Sequence, residues 1–457
     1  MVTAMSKSVV WWCGVLALGL AGCGGGGGGG DGGAEPPDPG NPNLLLNLPE
    51  PGLQPAQLAL LVAEGDTLSE AVAAAYLQAR KLPAANLIRV RGLDTSQPEI
   101  SAAAFAALRA DIEARLPAGI QASLLTWAAP TRVRGNCRMG ITSAMAFGYD
   151  DAYCMPVPAN CFSTRASPYF DSESLRPHTD HGLRPAMLLG AGNLTLAQAL
   201  IARGLAAEAS HPPGTGYFVR TSDAFRNGRA NEFEELPAQW AGALTLNFLD
   251  KPSGDVISGR SDLLFYLTGL ASVGGLDTLS FRSGALADHL TSFGGHLPSG
   301  NGQMPVTRWL EAGATASYGT VEEPCGIIQK FPRAPQLVDH YWRGATALEA
   351  YWKSVQQPGQ GLFVGDPLAR PFASKPTLSI EAGQYRLRTR ALRPSARYTL
   401  EYRNGAGSWV ELGSVTGQRA TAVDQRFPLA PSSASKIRWR GPCPGQPAAA
   451  CTLAESP

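Results

Sequence analysis

Three residue types that cooperate in hydrolysis stand close together at Asp288, His289 and Ser292, and His296 follows four residues later. In serine hydrolases an imidazole takes the proton of the nucleophilic hydroxyl, and a carboxylate orients the imidazole. On a helix, residues 288 and 292 share one face with 289 beside them. Triad residues normally come from separate elements, however, and the sequence has no Gly-x-Ser-x-Gly nucleophile turn. The pattern allows a serine-type site or a structural role, and it favours the structural role.

A second group of candidate ligands, His178, Asp180 and His181, lies within four residues. Imidazole and carboxylate groups suit Zn²⁺ or another divalent cation when a fourth ligand arrives from elsewhere. The acidic residues that could add an oxygen ligand are Asp150, Asp151 and Asp171. Because adjacent polar residues in a loop are more often simply solvated, a divalent metal is one of two interpretations.

Four charged residues occupy positions where α/β proteins bind ligands. Arg132 and Arg134 follow a predicted strand and share a face in extended geometry. They could clamp a carboxylate or phosphate, or pair with Glu322. Glu322 itself follows a buried strand, the usual position of site residues in such sheets. Asp366 stands between a glycine and a proline, and it either binds a ligand or forms an Asx turn.

Six cysteines lie beyond the N-terminal region: Cys137, Cys154, Cys161, Cys325, Cys443 and Cys451. An even number suits three disulfides in an exported chain, although six cysteines allow fifteen pairings. Cys443 and Cys451 form the best single pair. The other four are expected to staple the segment 137–161 to itself and, in one arrangement, to Cys325. A zinc site is the alternative, but the spacings contain no Cys-x2-Cys pair.

The elements that must position these residues form an alternating series. Short apolar runs such as 58–64 and 263–268 are separated by stretches with helical spacing such as 69–80. This alternation predicts an α/β domain over 44–373, with a mainly parallel sheet and helices on both of its faces. Within it, the stretch 131–185 is rich in Cys, Pro, Gly and Tyr and has little periodicity, which predicts a functional or disulfide-held insertion.

The C-terminal part, residues 374–457, has a different pattern. Polar and apolar residues alternate at 385–388 and 398–403, and an Asn404-Gly405 turn follows. This pattern predicts a small antiparallel β-sandwich, similar to fibronectin type III or immunoglobulin-like modules. Such modules usually bind a partner or act as spacers between domains, and they rarely catalyse reactions.

The N-terminal residues predict export. Lys7 precedes an apolar stretch of about a dozen residues and then small residues, so residues 1–22 have the pattern of a secretory signal. The run Leu-Ala-Gly-Cys resembles the bacterial lipobox, which implies a lipid-bearing Cys23 and a cell-envelope location, expected at the outer membrane. The alternative, an uncleaved membrane anchor, conflicts with a stretch shorter than the roughly 20 residues of a spanning helix. Residues 23–43, rich in Gly and Pro, have the composition of a tether.

Composition narrows the class of partner. Thirty-eight Lys and Arg residues balance 37 Asp and Glu residues, and no basic block is interleaved with aromatic residues. This excludes a nucleic-acid partner. With 44% hydrophobic and 16% charged residues, the chain can bury a large core. The partners that remain are a membrane, through the lipid anchor, and an exported protein or polysaccharide.

Four segments between residues 58 and 372 resemble the signatures of an uncharacterised bacterial family. They are 131–135, 283–294, 313–324 and 364–372. Members of that family are exported and occur in genomes that carry the exosortase and PEP-CTERM protein-sorting system. The resemblance therefore implies a role in the cell envelope, and it carries no established activity.

A weaker likeness concerns the layout of 263–316, which resembles that of caspase-like and gingipain-like cysteine peptidases. The likeness would put Leu270 at the position of the catalytic His, and Thr291 or Ser292 at that of the Cys. A thiolate needs a positioned imidazole, which leucine cannot supply. If the fold is shared, the cysteine-protease dyad is absent.

The sequence thus supports a main hypothesis and an alternative. The main hypothesis is an envelope lipoprotein that binds or helps to assemble exported proteins or polymers without catalysis. The alternative is a hydrolase of peptide or ester bonds that uses Ser292 and His289. It requires His289 or His296 within hydrogen-bond reach of Ser292. A divalent metal is the one cofactor that the sequence suggests.

Overall fold

The structure is a computed structural model that describes residues 44–156 and 161–457. The predicted signal peptide, the lipid-bearing Cys23 and the tether lie outside these residues, so the lipid anchor stays a prediction. In the described part of the chain, no helix is long and apolar enough to cross a membrane. All described residues belong to one compact unit.

A ten-stranded sheet organises the chain up to residue 365. The strands of this region are β1 (Leu58–Ala63), β2 (Leu87–Val90), β3 (Glu99–Ser101), β4 (Ala122–Leu125), β5 (Arg132–Arg134), β6 (Arg138–Gly140), β7 (Ala186–Leu188), β8 (Thr215–Arg220), β9 (Thr245–Asp250), β10 (Leu263–Thr268), β11 (Phe281–His289), β12 (Ala316–Thr320) and β13 (Gly361–Gly365). The order across the large sheet is β2-β1-β4-β7-β13-β12-β11-β10-β8-β9, and β3, β5 and β6 form a small separate sheet.

The large sheet consists of two parallel halves that run in opposite directions. Every neighbouring pair is parallel except β12 and β13, which are antiparallel. We call β2-β1-β4-β7-β13 the first half and β12-β11-β10-β8-β9 the second half. Consequently the carboxyl ends of the two halves, where α/β proteins usually bind ligands, lie at opposite edges of the sheet.

The helices connect and cover these strands. They are α1 (Thr67–Arg80), α2 (Ala102–Arg115), α3 (Ile141–Phe147), α4 (Pro177–His181), α5 (Leu194–Ala207), α6 (Ala230–Phe233), α7 (Leu236–Gln239), α8 (Thr307–Ala312), α9 (Ala334–Trp342) and α10 (Ala347–Ser354). Asp66, Ser101 and Asn193 begin α1, α2 and α5, because each side chain accepts a backbone N–H of the first turn. The large sheet and these helices together confirm the predicted α/β class with its mainly parallel sheet.

Strand β11 corrects the sequence-based expectation of a helix near residue 288. Residues 281–289 are extended, and the strand pairs with β10 on one side and β12 on the other. Leu286 belongs to the large core, whereas Ala287 belongs to a smaller core on the other face of the sheet. Since side chains alternate along a strand, Asp288 and His289 point to opposite faces.

The C-terminal module is built from two antiparallel sheets around a core of its own. Its strands are β14 (Thr377–Glu381), β15 (Gln384–Thr389), β16 (Arg397–Arg403), β17 (Trp409–Thr416), β18 (Val423–Pro428), β19 (Lys436–Cys443) and β20 (Gln446–Glu455), paired as β14-β15-β18 and β17-β16-β19-β20. Leu44, Leu46 and Leu48 are buried in this core, and the Tyr385 hydroxyl donates to the carbonyl oxygen of Leu44. The first described residues of the chain thus complete the core of its last part.

Three disulfides join the six cysteines. Cys443 pairs with Cys451, as their spacing suggests. Cys137 pairs with Cys154 inside the insertion, and Cys161 pairs with Cys325 across 164 residues. A bridge over such a long loop restricts the unfolded chain strongly.

Candidate functional site

His289 is locked by two hydrogen bonds on the face of the smaller core. Its Nε2 lies 3.1 Å from the carbonyl oxygen of Met304, and its Nδ1 accepts the indole N–H of Trp309 at 2.9 Å. The ring is therefore the neutral tautomer that donates from Nε2. Burial lowers its pKa to about 3. Neither nitrogen is free to take a proton from a hydroxyl group.

Asp288 belongs to a different interaction on the opposite face. It forms a fully buried ion pair with Arg229 at 2.7 Å, and the Arg229 guanidinium also donates to the carbonyl oxygens of Thr268 and Pro332. Burial raises the pKa of Asp288, and the charge of Arg229 opposes that shift. The pair links β11 to β10 and to the segment before α9.

Ser292 therefore has neither partner of the expected triad. Its backbone oxygen accepts the hydroxyl of Thr320 at 2.8 Å. The neighbouring Thr291 hydroxyl donates to Gln303 and accepts from Arg226. The ring Nδ1 of His296 lies 3.2 Å from the carbonyl oxygen of Val321. We call Asp288, His289, Thr291 and Ser292, with the side chains that bind them, the strand-end cluster, because they lie where β10, β11 and β12 end.

The charged candidates Arg132, Arg134 and Glu322 also have partners within the protein. Arg132 donates to Glu99 at 2.7 Å and to the carbonyl oxygen of Leu297, and Arg134 lies 3.6 Å from Glu99. Glu322 pairs with Arg138 at 2.7 Å rather than with the expected Arg132 or Arg134. Arg138 was not predicted, although it lies on the next strand of the same small sheet. These residues form an ion-pair network that fastens that sheet to the second half.

Asp366 lies at the other edge of the sheet, after β13, and is fully buried. It accepts the N–H of Leu368 at 3.1 Å, the hydroxyl of Tyr76 at 2.8 Å and the guanidinium of Arg80 at 2.5 Å. The contact to Leu368 is the two-residue step of an Asx turn. Since its oxygens are occupied and no solvent reaches it, Asp366 fits a structural role better than ligand binding.

The proposed metal ligands do not converge. His178 lies 3.3 Å from Arg184, His181 lies 2.9 Å from the Ser172 hydroxyl, and Asp180 accepts from Ser174. Of the additional acids, Asp171 binds His340 and Arg393, Asp150 binds Arg165, and Asp151 binds Tyr149. Within the described residues, ligand atoms gather only at Cys137, Asp151 and Cys154. Both of those cysteines are used in one disulfide.

A cavity lies elsewhere, between the α/β domain and the C-terminal module. This junction cavity has a volume of about 490 Å³, within the range of small-molecule sites. Its polar wall comes from the α/β domain: Glu173, Arg176, Asp180, His340, Arg343 and Lys353. Its apolar wall comes mainly from the module and the N-terminal segment, including Leu48, Leu387, Leu392, Tyr398 and Trp439. None of the residues of the strand-end cluster lines it.

Most polar groups of the junction cavity bind each other. Arg343 donates to Asp339, to both carboxylate oxygens of Glu173, to the carbonyl oxygen of Ala391 and to Nδ1 of His340. These bonds engage all five N–H groups of its guanidinium. Burial alone would raise the pKa of Glu173, but the charge of Arg343 overrides it and holds that pKa well below its usual range.

Lys353 and Arg176 are the exceptions in this wall. Lys353 is 3% exposed, and its ammonium donates to the carbonyl oxygen of Ser174 at 2.9 Å. It lies 5.1 Å from the ring centre of Tyr169, and among the described residues no carboxylate lies within 4.0 Å of it. Burial lowers its pKa. Arg176 is 61% exposed and makes one contact with Asp180 at 3.3 Å. Both cations retain N–H groups for a ligand.

Comparisons with known proteins add no assignment. No protein-family model, no curated protein and no solved structure matches this chain.

Sequence reasoning missed Lys353, His340 and Arg343, which lie on and between α9 and α10. The signal was present in the printed sequence. Lys353 directly follows two aromatic residues, Tyr351 and Trp352, in a stretch with helical spacing. A lysine buried in such a stretch needs a reason, because its charge is costly to bury.

Proposed function

We propose that this protein is a lipid-anchored component of the bacterial envelope that binds exported proteins or polymers and does not cleave them. The junction cavity is its ligand site. The ligand carries a carboxylate that meets Lys353 and Arg176, and an apolar or ring-shaped part that packs on the wall of Leu392, Tyr398 and Trp439. A sugar acid of a polysaccharide and the free carboxyl terminus of a protein share this chemistry.

The single observation that carries the proposal is the contrast between a paired and an unpaired buried cation. In the strand-end cluster, both nitrogens of His289 are hydrogen-bonded, and Arg229 forms an ion pair with Asp288. In the junction cavity, the lining includes Lys353, a buried lysine whose ammonium has one hydrogen-bond acceptor and, among the described residues, no carboxylate within 4.0 Å. An ammonium in such a position attracts an anionic group, because the low local dielectric strengthens that contact.

Binding is tested by calorimetry and by the rise of the melting temperature. The probes are trigalacturonate, a tripeptide with a free carboxyl terminus and the same tripeptide as an amide. We expect one acid probe to bind and the amide to fail. At a hundredfold excess over its Kd, a ligand adds about 2.7 kcal/mol to the free energy of unfolding.

Two variants connect binding to the cavity. Lys353→Met should abolish binding, and Arg176→Ala should weaken it several-fold because Arg176 lies at the exposed rim. Arg134→Ala is the matched control, since it removes an arginine that is 64% exposed at the strand-end side of the sheet. Equal binding by the Lys353→Met and unchanged proteins would overturn the cavity assignment.

The hydrolase alternative receives its own test. The protein is incubated with a proteome-derived peptide library beside Ser292→Ala and His289→Ala variants, and we expect no cleavage. Cleavage that disappears in both variants would replace binding by hydrolysis as the function.

A further inference from the structure

Charge is distributed unevenly between the two parts of this chain. Residues 374–457 contain twelve Lys and Arg against five Asp and Glu, whereas residues 1–373 contain 26 against 32. The net charge of +1 for the whole chain therefore hides a module of +7 beside a remainder of −6. Such an asymmetry suggests contact with a polyanionic surface.

The cations of the module collect on the outer face of the β17-β16-β19-β20 sheet. Tyr398, Leu400, Ile437 and Trp439 alternate inward into the core of the module. Side chains alternate along these strands, so the cations at the other positions point outward. They are Arg397, Arg403, Lys436, Arg438 and Arg440. We call these five residues the basic face. Glu401, Glu411 and Glu455 pair with four of them, which leaves two positive charges in excess.

An indole ring lies on the same face. Trp409 is opposite Arg403 in the strand pairing and is partly exposed. The guanidinium of Arg438 stacks over its ring at 4.0 Å from the centre. Trp and Arg side chains combine an apolar body with a polar end, and proteins place them at membrane interfaces for that reason.

Few residues connect this module to the predicted lipid anchor. Leu44, the first described residue, is seated in the core of the module. Cys23 precedes it by 21 residues, a length that spans at most about 70 Å when fully extended. A tethered face meets the membrane at a high effective concentration, so cationic contacts that are weak one by one become sufficient together.

We propose that the basic face docks on anionic phospholipid headgroups, with the five cations near phosphate groups and Trp409 at the interface. This proposal rests on the membrane attachment in the proposed function. It adds a second, reversible contact that orients the protein on the bilayer.

The test uses the chain from residue 40 onward, which lacks the lipid but retains all described contacts and all three hydrophobic cores. Co-sedimentation is measured with vesicles of phosphatidylcholine alone and with vesicles that contain three parts in ten of phosphatidylglycerol, at low and at physiological salt. We expect binding to the anionic vesicles only, and we expect it to weaken as salt rises.

A matched pair of variants assigns the contact. Arg397→Ala, Arg403→Ala and Lys436→Ala together should weaken vesicle binding about a hundredfold, which is about fivefold for each cation near the surface. The control replaces three exposed arginines of the α/β domain by alanine, Arg91, Arg165 and Arg308, and should bind as the unchanged protein does.

Three results would overturn the proposal: no binding to anionic vesicles at low salt, equal loss in both triple variants, or binding to polygalacturonate without binding to vesicles. The last result would make an acidic polymer the partner of the basic face. The lipid anchor is tested separately, by the mass of the N-terminal peptide that contains Cys23, so a failure of one proposal does not imply a failure of the other.

Discussion

The strand-end cluster and the junction cavity contain similar residue types but differ in how their bonds are used. Both have a histidine, a carboxylate and a buried cation. In the cluster, both ring nitrogens of His289 are hydrogen-bonded, and the charge of Arg229 is paired with that of Asp288. In the cavity, His340 and Arg343 are saturated as well, but Lys353 is not. Binding capacity therefore follows from an unpaired charge beside a cavity, and the residue types alone do not indicate it.

The first test of this comparison removes Arg229, the cation of the strand-end cluster. Arg229→Met leaves the buried Asp288 without a partner, and we expect the free energy of unfolding to fall by about 3–5 kcal/mol. Urea unfolding measures the change. The double variant Arg229→Met with Asp288→Leu should recover most of the loss, because it leaves no buried charge. Unchanged stability in the single variant would mean that the cluster is not structural.

The second test concerns Lys330, a buried lysine on the strand-end side. Its ammonium donates to Gln360 at 2.8 Å, and burial lowers its pKa to about 8 while Glu323 opposes that shift. The unfolded chain keeps this proton up to about pH 10.5, whereas the folded chain loses it above about pH 8. The unfolded state thus binds more protons between these values, and stability from this group rises with pH across that window by up to about 3 kcal/mol. Unfolding of Lys330→Met at pH 7.5 and 9.5 should lack this contribution.

The third test concerns Lys353, the buried cation of the junction cavity. Lys353→Met removes a charge whose burial is unfavourable and which has no ion-pair partner within 4.0 Å in the described residues. We expect the stability to change by no more than about 1 kcal/mol, while ligand binding is lost. If the free energy of unfolding fell as much as in Arg229→Met, Lys353 would have a structural role. The assignment of the cavity as a ligand site would then be wrong.

The smallest expected effect is that of Ser292→Ala. Its backbone oxygen, not its side chain, makes the contact with Thr320, so we expect a change within about 0.5 kcal/mol. Thermal unfolding and the peptide assay measure it together. A clear loss of a hydrolytic activity in this variant would contradict the structural interpretation of the cluster.

The α/β class could be predicted because apolar runs alternate with helical patterns along the chain, as at 58–80. The helix expected near 288 was wrong because Ala and Leu favour helices, whereas β11 is extended through pairing on both sides. That error grouped Asp288 with His289 and suggested a triad. The Arg229–Asp288 pair and the junction cavity depend on residues far apart in sequence, and no local pattern reports such contacts.

The leucines at positions 44, 46 and 48 also affect the timing of folding. They belong to the core of the C-terminal module, and the N–H of Leu53 donates to Glu349 at 2.9 Å. During synthesis and export these leucines emerge first, and the strands that cover them emerge more than 300 residues later. Contacts of such sequence separation form late and slowly. A chain interrupted before residue 377 would keep these leucines exposed, which distinguishes an unfinished molecule from a finished one for the proteases and chaperones that it meets.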